Sequence, residues 1–342
     1  MTSENRPAPT LHDVAAHAGV STATVSRALN FPDKVAPKTR ELVESAISQL
    51  GYTPNFGARV MAARRTHTIG AIIPTMDNAI FARGLQAFQD ELRAHGYTML
   101  VATCGYMAGA EAEAIRTLIA RGADALLLIG HARDAESLRF VAAQNVPALV
   151  TWAYDPDATL PSVGFDNVAA MRAMADAVLA EGHRQLGLIT APTAGNDRAA
   201  GRQQGIRDAM AAENLDPALL EVVEAPYGIE NGANAFARLM RRAPQTTAVF
   251  CGNDVLAVGA LRQARAMGLR VPEDISITGF DDIELAEIAE PPLTTVHVPH
   301  RDMGRMAAQM LVARLENGVI PKPTDLPTRV VRRGSLGPAP HA

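Results

Sequence analysis

Near the N-terminus the apolar positions recur at helical spacing in three short runs. Leu11, Val14 and Ala15 form the first stripe. Thr10 is placed to cap that helix, and Asp13, three residues on, faces its positive end. Gly19 suits the left-handed position that closes such a helix. Ser21 is the next cap, and Val25, Ala28 and Leu29 give the second helix its buried side. Pro37, whose φ is pre-set for a first turn, opens a third helix through Leu42, Val43, Ala46, Ile47 and Leu50 to Gly51. Beyond Tyr52 the pattern weakens. Asn55 can cap the stretch FGARVMAARR, but it is too short to hold a helix unaided and Gly57 weakens it further. This segment reads as a linker whose order depends on a partner.

From Thr68 the period changes. TIGAII, TMLVAT, DALLLI and PALVTW are short apolar runs separated by helical stretches, and QLGLIT, TAVFCG and DISITGF continue the series. Strands alternating with helices predict parallel sheets with right-handed crossovers. Two such sets, about residues 68–164 and 165–293, predict two α/β lobes, with ligand crevices at the switch points of their sheets.

Length and charge sharpen this picture. At 342 residues the chain suits two or three domains. The net charge of -4 hides a split. Residues 1–66 carry eight Lys/Arg against five Asp/Glu, and the remainder holds 24 against 31. A basic head on an acidic body is expected when only the head touches phosphate. Two cysteines, Cys104 and Cys251, exclude a disulfide framework and a four-thiolate zinc site. The N-terminal segment has no apolar core of a secretory signal, and no run reaches the ~18 apolar residues of a membrane span, so a cytoplasmic protein without a membrane partner is expected. G-x-S-x-G, H-E-x-x-H, C-x-x-C and the phosphate-loop pattern are all absent, the nine histidines lack ligand spacing, and Asp281 and Asp282, being adjacent, should diverge. No enzyme, cofactor or metal is expected.

Two helices joined by a tight glycine turn make a helix-turn-helix candidate. On the second helix Thr22, Ala23, Ser26 and Arg27 face outward. Thr22 and Ala23 lie in the first turn, the part that reaches base edges, and Arg27 can meet a guanine edge or a phosphate. Ser21, Thr24, Asn30, Lys34 and Thr39 offer donors to the DNA backbone. The same spacing also fits an ordinary αα-hairpin with a solvated face.

TLHDVAAHAGVSTATVSRALN, followed by VAPKTRELVESAISQLGYTPNFGARVMA, resembles the DNA-binding head of the lactose-repressor (LacI/GalR) family of bacterial transcription regulators. The resemblance implies that Thr22 and Ala23 discriminate operators and that Arg27 contacts a base. It implies a hinge helix on DNA that uses Asn55, Ala58, Arg59 and Met61. Met61 stands where the family's leucine wedges into the minor groove, and methionine is adaptable enough to insert there. Ala36 stands where a hydroxyl is common, removing one phosphate contact.

The resemblance continues through IGAIIPTMDNAIFARGLQAF, GFDNVAAM, GRQQGI, VFCGNDVLAVGAL, GLRVPEDISITGFDD and PPLTTV. It implies an all-α helix-turn-helix head (9–53), a hinge (54–66) and a periplasmic-binding-protein-like α/β body (67–335). The first lobe would span about 67–164 and 294–322, and the second 165–293 and 323–335, with crossovers near 164, 293 and 323. A homodimer would read a palindromic operator under the control of a small effector held between the lobes.

Family pocket positions fall on Phe81, Arg202, Asn253 and Asp281, with Phe250 lining the cleft or merely packing. Core packing for Phe81, a helix cap for Asp281 and a loop role for Asn253 are the competing expectations. Trp152 stands where many sugar-responsive members have a carboxylate, and Arg198 adds a cation unless it is solvated. That exchange favours an anionic ligand over a neutral sugar or purine, and Arg198, GFDN and Gly105-Tyr106 resemble the gluconate-responsive branch of the family, which implies a sugar acid such as gluconate. The effector's sign, inducer or co-repressor, is open at this level.

Overall fold

In the computed structural model, which describes residues 8–53, 65–77 and 79–340, the chain divides into two units after Thr66. The first is the helical head. Helix α1 (Leu11–Ala18) begins in a reciprocal cap: Thr10 Oγ1 accepts from the Asp13 amide at 3.3 Å, and the Asp13 carboxylate accepts from the Thr10 amide at 2.8 Å. Gly19, at φ 66, ends it in the left-handed turn that leads to α2 (Thr22–Asn30), whose cap is Ser21. Helix α3 (Pro37–Leu50) closes the bundle and stops at Gly51. Val14, Ala15, Val25, Ala28, Val43, Ala46 and Tyr52 form its buried centre. The hinge positions Asn55, Ala58, Arg59 and Met61, and the side chain of Asn30, lie outside the described residues.

The second unit starts with β1 (Thr68–Ile73), α4 (Ala79–Ala94), β2 (Thr98–Thr103), α5 (Ala108–Ala120), β3 (Ala125–Ile129), α6 (Ala135–Ala143), β4 (Ala148–Thr151) and β5 (Ser162–Gly164). The chain then builds the second lobe: α7 (Asn167–Ala180), β6 (Leu186–Thr190), α8 (Asp197–Ala212), β7 (Glu221–Glu224), α9 (Ile229–Arg242), β8 (Ala248–Cys251), α10 (Asp254–Ala266), β9 (Ser276–Thr278) and α11 (Glu284–Ile288). Last come β10 (Thr295–His297), α12 (His300–Asn317), β11 (Thr324–Asp325) and β12 (Arg329–Val331).

The sheets are parallel, in the orders β2-β1-β3-β4-β5-β11 and β7-β6-β8-β9. Each reverses direction beside its first strand, which puts a crevice at the carboxyl ends of β1 and β3 and another at those of β6 and β8. The runs read as strands are buried where helices cover both faces, except at the edge strand β2, which is half-buried and partly exposed.

Two crossovers differ from the expected positions. Residues 294–297 still belong to the second lobe, because Thr278 bridges Thr294 and Asp281 bridges His297 in parallel register. The chain leaves only after Val298, and α12 packs along α4 of the first lobe. The return expected near 323 comes later too, since β11 pairs with β5 and the Leu326 amide donates to Gly164 O at 2.7 Å. Only then does β12 pair antiparallel with β10. Short edge strands without an apolar run of their own carry little periodic signal, which is why these boundaries were displaced.

Both lobes use glycine where helices cross. A Cβ on Gly304 would stand 2.0 Å from Gly84 O, and one on Gly259 2.0 Å from Ile229 O. Among the described residues no helix is long and apolar enough to cross a membrane, and no cluster of His, Cys, Asp or Glu could hold a metal ion.

Candidate functional site

The strand ends of the two lobes enclose a cavity of about 510 Å3. Thr75, Asp77, Gly105 and Tyr106 line it from the first lobe, and Pro192, Asn196, Pro226, Tyr227 and Val255 from the second. Tyr106 sits at φ 61, which turns its ring across the opening to meet Tyr227 at 5.8 Å between centroids. Burial raises the Tyr106 phenol, so it stays protonated and can both donate and accept. None of these residues was among those expected to bind effector. Tyr106, Asn196 and Tyr227 follow β2, β6 and β7 within a few positions, and the rule that loops at carboxyl strand ends line the crevice would have found them.

Arg202, Asn253 and Asp281 do not line this cavity; they are buried close to one another in the second lobe. Arg202, 5% exposed on α8, donates to Gly252 O at 2.8 Å and to Arg198 O at 3.3 Å. Its guanidinium lies 4.3 Å over the Phe280 ring. Among the described residues it forms no ion pair with a carboxylate. Asp281 feels the Arg202 charge, yet burial dominates and pushes its carboxyl well above the usual range; Oδ2 has no partner. Asp281 does not cap a helix, since α11 begins after Ile283. Asp282 turns the other way, to Arg333 at 2.7 Å and His297 at 2.8 Å, so the adjacent carboxylates diverge as expected. Asn253 does cap, its Oδ1 accepting from the Leu256 amide at 2.9 Å, and that leaves its buried Nδ2 unpartnered.

Four of the expected side chains sit differently. Phe250 is fully buried in β8, inside the core and away from the cavity lining. Phe81 and Trp152 are also nearly buried and meet edge to face at 5.3 Å. Both belong to the hydrophobic core and do not line the cavity. Arg198 is not solvated. It is 7% exposed, donating to Asp197 at 2.8 Å and to Ile129 O of the opposite lobe at 3.2 Å. Asp197 also accepts from the His131 amide at 2.6 Å. The charge of Arg198 is therefore matched by its neighbour, and Arg198 is not the second free cation that the sequence predicts. Adjacent helical residues usually point apart, but Asp197 opens α8, where its side chain can turn back.

Asp254 fixes this region from behind. Its Oδ2 accepts from the Ile283 amide at 2.8 Å, and its Oδ1 accepts from Thr295 Oγ1 at 2.5 Å. Burial pushes the carboxyl from about 3.8 up to about 7, against the two hydrogen bonds and Arg333. A folded value above the unfolded one means stability that is full at low pH and lost as pH rises through about 4 to about 7. Asp254→Asn protein should therefore show a flatter melting temperature between about pH 5 and about pH 8 than the parent. Parallel slopes would assign that pH dependence elsewhere.

In the head, Thr22, Ala23 and Arg27 are exposed on one side of α2, and Ser26 is half-buried beside them. Ser21 and Thr24 are partly engaged with each other, the Ser21 hydroxyl also accepting from the Thr24 amide at 3.1 Å. Lys34 is exposed over the Phe31 ring at 5.3 Å, and Thr39 is half-buried at the start of α3.

Comparisons with known proteins agree with both units. Residues 10–55 match the profile of bacterial regulatory proteins of the lacI family, and residues 175–336 match a periplasmic binding protein-like domain. The HTH-type transcriptional regulator GntR of Escherichia coli (strain K12) is 32% identical, over 96% of this chain and 98% of its own. A structure of the lac repressor dimer bound to operator and an anti-inducer superposes with a TM-score of 0.85 at 28% identity, covering 97% of this chain and 100% of that one. A complex of the regulator CelR with cellobiose gives 0.68 at 32% identity, covering 96% and 99%. The chain is a DNA-binding transcription regulator of the LacI family, a helix-turn-helix head followed by a periplasmic-binding-protein-like body.

Proposed function

We propose that this regulator is a homodimeric repressor of a palindromic operator, read by Thr22, Ala23 and Arg27 and released or tightened by a sugar acid such as gluconate. A dimer with two-fold symmetry presents two heads to two half-sites, which is the physical basis of the palindrome. The lac repressor relative is a dimer on its operator, which supports that part. The observation behind the acid is Arg202: a cation 5% exposed, bonded to main-chain carbonyls, while Asp281, which feels its charge, is held toward its neutral form by burial. An unpaired buried charge is expensive, and a ligand carboxylate would complete it.

A thermal-shift screen against sugar acids, neutral sugars and purines tests the effector. At 100 times its dissociation constant a ligand adds about 2.7 kcal/mol. A response confined to sugar acids is the expected result. Stabilisation by neutral sugars or purines alone would remove the acid and keep the regulator. Selection of bound fragments from random DNA should yield an inverted repeat, and a single unrepeated half-site would remove the dimeric reading.

A further inference from the structure

The turn after β3 in the first lobe and the start of α8 in the second fit each other group for group. On either side of Gly130 the first lobe offers the Ile129 carbonyl and the His131 amide, and α8 answers them in reverse. Asp197 Oδ2 accepts from the His131 amide at 2.6 Å, and Arg198 Nη1 donates to Ile129 O at 3.2 Å. Arg198 Nη1 also donates to Asp197 Oδ1 at 2.8 Å, so each side chain holds the other in place. Gly130, at φ 69, is the seat of this arrangement: a Cβ there would stand 1.7 Å from Arg198 Nη1 and 2.4 Å from Asp197 Oδ1. Beside it lies a small space of about 50 Å3, lined by Cys104, Glu111, Gly195 and Arg198 among others. Tyr106 lines both this space and the larger cavity, whereas Arg198 lines only the smaller of the two.

These bonds run from protein to protein across the lobes and need no effector. Each has an ionised partner, and Arg198 is 7% exposed, so water competes little for them. Arg83 of α4 and Glu284 of α11 also pair between the lobes, at 3.0 Å, but the Glu284 side chain is 90% exposed and such a surface pair contributes little. We propose that Asp197 and Arg198 are a clasp that holds the lobes closed in the effector-free regulator, and that this contact sets its basal operator affinity. The lobes are otherwise joined through their crossovers, so a few cross-lobe bonds decide between closed and open bodies. Effector and operator then act on an equilibrium that the chain has already biased. The clasp is the same whether the effector is an acid, a neutral sugar or a purine.

The test uses the full chain, dialysed free of small molecules, and three variants. Gly130→Ala puts a methyl group where the clasp sits, and Asp197→Ala removes the carboxylate. In both, the His131 amide, followed by deuterium exchange of the peptide that contains it, should exchange about tenfold faster or more. Asp197→Asn keeps an oxygen acceptor without the charge and should fall between parent and Asp197→Ala. Small-angle scattering of the same samples should show a larger radius of gyration in Gly130→Ala and Asp197→Ala. Operator affinity without effector, measured on the fragments selected from random DNA, should move in the same direction in these two variants, by about fivefold or more. A mere weakening of α8 would leave the His131 amide, which belongs to the opposite lobe, at its parent rate. Melting curves show whether each variant is folded, and Asp197→Ala carries the test if Gly130→Ala is not. Parent-like exchange at His131, unchanged operator affinity, or shifts of opposite sign in the two variants overturn the proposal.

Discussion

Arg202→Met protein should still bind operator but lose the change in operator affinity that effector produces. The guanidinium holds the Gly252 and Arg198 carbonyls and stacks on Phe280, so it is a rigid, pre-aimed cation. Truncating one member of a buried hydrogen-bonded charge pair costs about 2–5 kcal/mol, and at 1.4 kcal/mol per decade a carboxylate ligand should bind about 30-fold weaker or worse. Arg202→Lys separates charge from geometry. Lysine keeps the charge but neither the planar fork nor the stacking, so it should recover only part of the affinity. Titration of effector against protein, with operator retention measured alongside, checks both. A parent-like effector response in Arg202→Met would take Arg202 out of the site.

The second large effect concerns stability. Gly259→Val should destabilise the body by about 3 kcal/mol or more, the upper range for overpacking. A Cβ there would stand 2.0 Å from Ile229 O and 2.8 Å from the Ala233 amide nitrogen. Both are backbone atoms of α9, and no rotamer change relieves them. Gly232, on the facing helix, is equally constrained: its Cβ would lie 2.3 Å from Leu256 O. The two helices would have to separate, opening a core that includes Phe236, Leu239 and Leu256. Calorimetry should show the body transition lowered by several degrees, about 2 °C or more per kcal/mol for a unit this size. A shift within about one degree would mean that α9 and α10 can part cheaply.

How much of this was legible in the chain depends on how local the cause is. Thr10, Asp13, Gly19 and Ser21 act within a few residues, and the head follows its caps closely. The buried strands were legible because parallel sheets covered on both faces read as continuous apolar runs. Asp281 and Arg202 were reached through resemblance; in the structure both are buried, neither lines the cavity, and Asp281 Oδ2 has no partner. What was not legible is pairing across the lobes. Tyr106 meets Tyr227 from more than a hundred positions away, Arg198 reaches Ile129 O, and His300 meets Trp152 over a separation of 148. No periodicity encodes such contacts; they follow from three crossovers bringing distant strand ends face to face. Of the two expectations for Phe250, packing is the one the structure shows, for a simpler reason. It lies inside β8, before the strand end at Cys251, where side chains pack on helices instead of facing the crevice.

The route of those crossovers also bears on how the protein is made. The first lobe is begun first and finished last, because α12 and β11 are supplied only after the whole second lobe has been spelled out. Until then, α4 carries Leu85, Phe88 and Leu92 without Met303, Ala307 and Leu311 to pack beside, and β5 presents an unpaired edge. During synthesis at roughly 5–20 residues per second, that apolar face stays incomplete for about ten seconds or more after β5 leaves the ribosome. The nascent first lobe is thus the stretch on which a chaperone would act longest.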